Sequence, residues 1–226
     1  MSNPVLAIAH RAGNEPGLLR DALAAGADIV EADIWPHRGR LEVRHLKTMG
    51  PVPLLWDRWK LASGRAPRIL ISHLLADLPA GIGLMLDLKG HDLTEAAAIA
   101  ALSAHLGSEQ RLYVCARDWA MLRPFAGNGA IVVHSAGKPR EVEKLQPLLS
   151  SGECTAVSIH QKLLTRDAVE RLRARVHTLM TWPVNDVGRM RELVNWGVNA
   201  ITTDSLGVVR AISESNAALA SHAPEG

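Results

Sequence analysis

Ile29-Val30-Glu31-Ala32-Asp33-Ile34 is the stretch whose reading decides the fold of this chain. A short apolar, β-branched run of this kind reads as a strand, and strand residues two apart share a face. Val30, Ala32 and Ile34 make one face fit to pack under helices, while Glu31 and Asp33 project from the other. Leu84-Met85-Leu86-Asp87-Leu88-Lys89 repeats the arrangement, with three leucines on one face and Met85, Asp87 and Lys89 on the other. Two such strands side by side suit a barrel with charged side chains inside its mouth, because active sites of (β/α)8 proteins gather at the C-terminal ends of the strands.

Working outward, β-type runs recur at 5–10, 112–117, 130–134, 156–160, 178–182 and 200–204. Helix-like stretches lie between them at 16–25, 93–106, 140–149, 165–174, 187–196 and 205–219. Pro16 suits a first helical position, Thr94 and Thr165 can cap, and Gly26 and Gly197 follow helices where a left-handed residue is useful. The alternation predicts an α/β fold, a (β/α)8 TIM barrel. A doubly wound open sheet is the alternative, since periodicity does not show closure. No Pro/Gly/Ser linker divides the chain, so residues 1–226 read as a single domain. One long excursion, 35–78, breaks the rhythm with Arg38-Gly39, a further β-like run at 41–45, and Trp56 and Trp59. Its apolar content predicts an ordered wall beside the active site.

A formal net charge of +2 gives no nucleic-acid footprint. The first apolar run, 5–9, is too short for a signal-peptide core or a membrane span, and no transmembrane segment is expected. Cys115 and Cys154 are far apart without CxxC spacing, which predicts neither a disulfide framework nor a zinc site and fits two thiols in a reducing cytoplasm.

Glu31, Asp33, Asp87 and Lys89 would converge at the mouths of adjacent strands. Uncompensated, such charges cost several kcal/mol each. A divalent cation resolves that cost, and all-oxygen ligation suits Mg2+ or Ca2+. The alternative is a salt-bridge cluster in which Lys89 neutralises one carboxylate. His10-Arg11 ends the first strand and His45 ends the run at 41–45. Cleaving a phosphodiester needs proton removal from the attacking oxygen and delivery to the leaving one, and two imidazoles can share those tasks near neutral pH. Arg11 and Lys89 can neutralise phosphate oxygens. Among the other histidines, His37, His73, His91 and His105 read as surface residues. His134 and His160 end strands beside the pocket, where hydrogen-bonded structural roles are the commoner case.

The ordered set His10-Arg11, Gly26-Ala27-Asp28-Ile29-Val30-Glu31-Ala32-Asp33, His45 and Asp87-Leu88-Lys89 resembles the glycerophosphodiester phosphodiesterase family. Trp182-Pro183-Val184-Asn185 looks like that family's Trp-x-Val-Asn segment. The stretch Gly197-Val198-Asn199-Ala200-Ile201-Thr202-Thr203-Asp204 looks like its Gly-Val-Asp-Gly-Ile-Ile-Thr-Asp signature. The likeness runs over nearly the whole chain. It implies Glu31, Asp33 and Asp87 as metal ligands, His10 and His45 as the acid/base pair, Arg11 and Lys89 on phosphate, and Trp182 and Asn185 beside the substrate. It further implies attack by the substrate's own neighbouring hydroxyl through a cyclic phosphate.

Departures accompany the likeness. Ala12 and Asn14-Glu15-Pro16-Gly17 stand where the family has Gly and Pro-Glu-Asn-Thr, and Leu46 follows His45 where it has Asp. Asp87 replaces a Glu, and Asp-Leu-Lys is similar to the sphingomyelinase D branch. Three functions follow as alternatives: hydrolysis of glycerophosphodiesters, phospholipase D-like action on lysolipids or sphingomyelin with Trp56 and Trp59 at a lipid surface, or a non-catalytic barrel that keeps a ligand site.

Overall fold

A computed structural model of the chain describes residues 4–37, 40–48, 54–57, 60–63, 69–91 and 111–221. In chain order the strands are β1 (Leu6–Ala9), β2 (Ile29–His37), β3 (Arg40–Val43), β4 (Lys47–Thr48), β5 (Leu54–Asp57), β6 (Lys60–Ser63) and β7 (Ile69–Leu70). They continue with β8 (Gly83–Leu88), β9 (Leu112–Ala116), β10 (Ile131–Ala136), β11 (Ala156–His160), β12 (Thr178–Trp182) and β13 (Ala200–Thr203). Strands β1, β2 and β8 to β13 pair in parallel in the order β1-β2-β8-β9-β10-β11-β12-β13, and β13 pairs back onto β1. That last ladder, Leu6 opposite Ala200 through Ala9 opposite Thr203, closes the cylinder and excludes the open sheet.

The described helices are α1 (Pro16–Ala24), α2 (Ile71–Asp77), α3 (Pro139–Ser151), α4 (Arg166–Arg173), α5 (Val187–Trp196) and α6 (Leu206–Ser221). Their starts and stops follow local chemistry. Pro16 opens α1, the Thr165 hydroxyl accepts from Ala168 N–H at 3.2 Å, and Asp186 caps α5 by accepting from Arg189 N–H at 2.7 Å. Gly197 ends α5 at φ 115°, a conformation that suits a residue without a side chain. The expected helix at 93–106, with Thr94 and His105, lies outside the described residues, as do Arg38, Gly39 and Trp59.

Two apolar layers result. Ile8, Ile29, Met85, Tyr113, Cys115 and Met180 fill the barrel interior with others. Val30, Ala32, Ile34, Leu84, Leu86 and Leu88 belong to the larger layer under the helices, as their alternation requires. Among the described residues no helix is long and apolar enough to cross a membrane.

The excursion is more structured than a wall. Chain reversal after β2 lays β3 antiparallel on it, with Ile34 opposite Val43, and β7 pairs with β3 in turn. Strands β4, β5 and β6 form a separate antiparallel sheet. Residues 71–77, within the excursion, form α2, which the sequence reading does not anticipate.

Candidate active site

Each barrel strand delivers inward-facing residues to the C-terminal mouth. Asp33 pairs in register with Asp87, and Glu31 with Met85, so β2 and β8 set carboxylates side by side. One ligand oxygen from each of Glu31, Asp33 and Asp87 lies within 4.8 Å of the others. Lys89 joins them: its Nζ is 2.7 Å from Asp33 Oδ1 and also ion-paired with Asp87 Oδ2.

Asp33 is the hub. Only 1% exposed, it receives Asn14 Nδ2–H on Oδ2 at 2.7 Å and faces His45 Nδ1 at 3.0 Å and Arg11 Nε at 3.8 Å. Burial pulls this acid upward, but the hydrogen bond from His45, the charge of Lys89 and the bond from Asn14 overcome it and hold the carboxyl below the usual range. Glu31 has no such support. It is 5% exposed, and its one ion-pair contact among the described residues is His10 Nε2 at 3.8 Å. Burial, reinforced by the charges of Asp87 and Asp33, pushes its acid well above the ordinary value. The Lys89 ammonium is held charged against its own burial by Asp87 and Asp33.

These features test the fit of a cation. Lys89 offsets part of the acidity through its contacts with Asp33 and Asp87, yet Glu31, buried among like charges, has no comparable partner among the described residues. An acidic surplus with unused, buried oxygen lone pairs suits a hard divalent cation. The residues fit.

His10 follows β1 and is anchored from the neighbouring strand β13. Its Nδ1 is 2.6 Å from Asp204 Oδ1, which turns Nε2 toward Glu31. Asp204, just past β13, is held by Asn185: the amide Nδ2 donates to Asp204 Oδ2 at 3.3 Å, and Oδ1 accepts from Asp204 N–H and Thr203 Oγ1 at 2.9 Å each. Burial lowers the basicity of His10, partly opposed by Asp204. His10 in turn keeps Asp204 ionised against the effect of burial.

His45 reaches the site because of the β2–β3 reversal. The Arg44 N–H donates to Asp33 O at 2.9 Å, bringing the next residue back above Asp33. Arg44 is 7% exposed, donates to Glu42 Oε2 at 2.7 Å and to Leu46 O, and its guanidinium lies 5.1 Å over the Trp35 ring. The turn carrying His45 is thereby fixed.

Arg11 has φ 56°, the one positive φ among described non-glycine residues. Such backbone is disfavoured for any residue with a Cβ and is held where surrounding structure insists on it. It begins the 3₁₀ turn Ala12–Asn14, which presses against β2: a Cβ on Gly13 would sit 2.9 Å from Ala32 Cβ and 3.1 Å from Glu31 O. Only glycine allows that approach, and the approach delivers Asn14 to Asp33.

Trp182 ends β12, half-buried, with its ring 5.0 Å from that of His160 in a T-shaped contact. His134 does not line the mouth. Strand β10 runs two residues beyond the expected end, so Ser135 faces inward while His134 packs edge-on to Trp119 at 5.3 Å and near Cys154 Sγ at 3.4 Å, outside the barrel. His73 and His91 are exposed, as expected.

Nine sequence-derived site residues thus resolve into one acidic cluster with His10, Arg11, His45 and Lys89 around it, and Trp182 and Asn185 at the rim. Asn14 and Asp204 were not singled out. Asp204 sits at the inward position of β13 beside His10, a signal available from strand alternation; Asn14, on an irregular turn, had none.

No protein-family model matches the chain, and no curated protein sequence matches it. Solved structures do. A glycerophosphodiester phosphodiesterase from Thermotoga maritima superposes with a TM-score of 0.74 at 14% identity, covering 95% of this chain and 100% of that one. One from Parabacteroides distasonis gives 0.67 at 23% identity over 95% and 100%. A phosphodiesterase from Oleispira antarctica, solved with the product sn-glycerol-3-phosphate, gives 0.69 at 18% identity over 92% and 96%. Over about 95% of its length, this chain matches the fold of the glycerophosphodiester phosphodiesterases.

Proposed function

We propose that this protein is a metal-dependent phosphodiester hydrolase that cleaves glycerophosphodiesters to glycerol phosphate and an alcohol. One observation carries the reading: three carboxylate ligand atoms lie within 4.8 Å of one another, with His10 approaching Glu31 and His45 approaching Asp33. The Oleispira antarctica structure, with sn-glycerol-3-phosphate bound in the same fold, supports the substrate class.

Glu31, Asp33 and Asp87 would hold the metal, Mg2+ or Ca2+ by the all-oxygen donor set. When bound, the cation supplies positive charge opposite the non-bridging phosphate oxygens. Arg11 and Lys89 add to that charge from the protein side. His10, with Nδ1 engaged by Asp204, presents Nε2 to Glu31, and His45 stands beside the cluster with Nδ1 against Asp33. One imidazole accepts the proton of the attacking hydroxyl; the other gives its proton to the departing alkoxide. The attacking group is the substrate's own neighbouring hydroxyl, so no protein nucleophile is required; its attack expels the alcohol and leaves a cyclic phosphate, which water then opens to glycerol phosphate with the two imidazoles exchanging roles. Trp182 borders the alcohol, and Asn185 acts through Asp204.

Purified protein with Mg2+ or Ca2+ should release glycerol phosphate from glycerophosphocholine or glycerophosphoethanolamine. Turnover should be lost with EDTA and in His10→Ala. Absence of turnover across the panel, or turnover indifferent to EDTA, defeats the proposal.

A further inference from the structure

The sheet β4-β5-β6 begins two residues after His45 and turns an apolar face to solvent. Directly paired residues of an antiparallel sheet share a face, as do residues two apart along a strand. Lys47 pairs with Trp56, Trp56 with Leu61, and Leu54 with Ser63, so these five lie together. Leu54, Trp56 and Leu61 are 38%, 41% and 70% exposed, whereas Leu55, on the opposite face, is 4% exposed. Three of the five large hydrophobic residues exposed among the described residues are thus gathered on one small face.

Charge is segregated to the same excursion. Residues 38–68 carry eight Lys and Arg against two Asp and Glu; setting aside the buried Arg44–Glu42 pair leaves seven basic residues against Asp57, while the rest of the chain is net negative. The overall charge of +2 conceals this division. An indole flanked by leucines and an ammonium matches the bilayer boundary: the indole sits at headgroup depth, the aliphatic groups reach the acyl region and the cations meet anionic headgroups. Nucleic acid would use the cations but leave Leu54 and Leu61 without a partner.

We propose that this face of β4-β5-β6 docks the barrel mouth on an anionic phospholipid surface, so that the enzyme takes phosphodiesters still carrying an acyl chain. The docking stands on the exposed face and the charge; the substrate class rests on the hydrolytic reading above. Sedimentation of the full chain with vesicles of phosphatidylcholine, with and without phosphatidylserine, tests docking without turnover. Binding should need phosphatidylserine, weaken with salt, and fall about tenfold or more both in Trp56→Ser/Leu61→Ser and, separately, in Lys47→Glu. Hydrolysis of water-soluble glycerophosphocholine should be unchanged in both variants, and thermal unfolding should show both folded. Hydrolysis of vesicle-borne lysophospholipid should fall with binding. Vesicle binding equal in wild type and both variants overturns docking by this face, as does tighter binding to an oligonucleotide than to phosphatidylserine vesicles. Docking without turnover of any lysophospholipid, alongside turnover of soluble diesters, overturns the substrate class alone.

Discussion

Replacing Asn14 with alanine removes two bonds to Asp33, and their geometry sets the cost. Asn14 Nδ2–H donates to the buried carboxylate at 2.7 Å, and Asp33 N–H donates to Asn14 Oδ1 at 2.9 Å. A hydrogen bond to an ionised group contributes about 1.5–3 kcal/mol and a neutral one about 1 kcal/mol. Asn14 is half-buried, so water can replace part of what is lost, and roughly 2 kcal/mol of stability should disappear. For a chain of this size that corresponds to a fall in Tm of roughly 4–8 °C. The site should suffer as well, because Asp33 loses the group that fixes its orientation; loss of such a partner typically weakens metal affinity about 10–100-fold. Thermal unfolding in EDTA measures the first effect, and calorimetric titration with Mg2+ or Ca2+ the second. A Tm within about a degree of wild type, with unchanged metal affinity, would refute the claim that Asn14 organises Asp33.

Gly13→Ala should destabilise by about 1–3 kcal/mol in urea unfolding, because the new Cβ meets Ala32 Cβ at 2.9 Å and Glu31 O at 3.1 Å; an unchanged unfolding midpoint would refute the close approach. Asp87→Asn should abolish most of the rise in Tm produced by Mg2+ or Ca2+ while leaving a folded barrel; an undiminished rise removes Asp87 from the ligand set. Asp204→Ala should lower kcat about 10–100-fold with little change in substrate affinity, since the His10 ring loses its anchor; a kcat equal to wild type excludes the anchoring role. Burial between the barrel and its surrounding layer depresses the basicity of His134 below the ordinary 6.5. The unfolded chain therefore binds this proton first, so the stability due to neutral His134 is complete above pH 6.5 and is lost as pH falls from there toward the depressed folded value. His134→Gln should flatten that part of a stability–pH curve, and an unaltered slope would assign the effect elsewhere.

Strand alternation made most of the barrel legible. In β2 and β8 the period of two separates apolar residues facing helices from carboxylates facing the interior, and closure obeys that division. Strands β11 and β12 occupy the expected limits because apolar runs there stop at loop-forming residues on both sides. Strand β10 continues past the expected end at His134 to Ala136, since polar His134 and Ser135 hide its continuation; alternation from inward Val133 then brings Ser135 rather than His134 to the mouth. Helix α2 escaped notice because seven residues give too short a period within an irregular stretch. Asn14 escaped because a turn has no periodicity, and its position depends on Gly13 lying against a strand far along the chain.

By itself the sequence determined which residues face inward, and thereby that Glu31, Asp33, Asp87 and Lys89 share a mouth with His10, because alternation in a strand is a local consequence of backbone geometry. Tertiary structure decided what alternation does not encode. Pairing of β13 with β1 closed the cylinder and set Asp204 against His10; reversal of β3 onto β2 carried His45 to Asp33. The first contact joins residues 194 apart and the second depends on where β2 reverses, and pairing between strands and packing of turns, rather than alternation, select them.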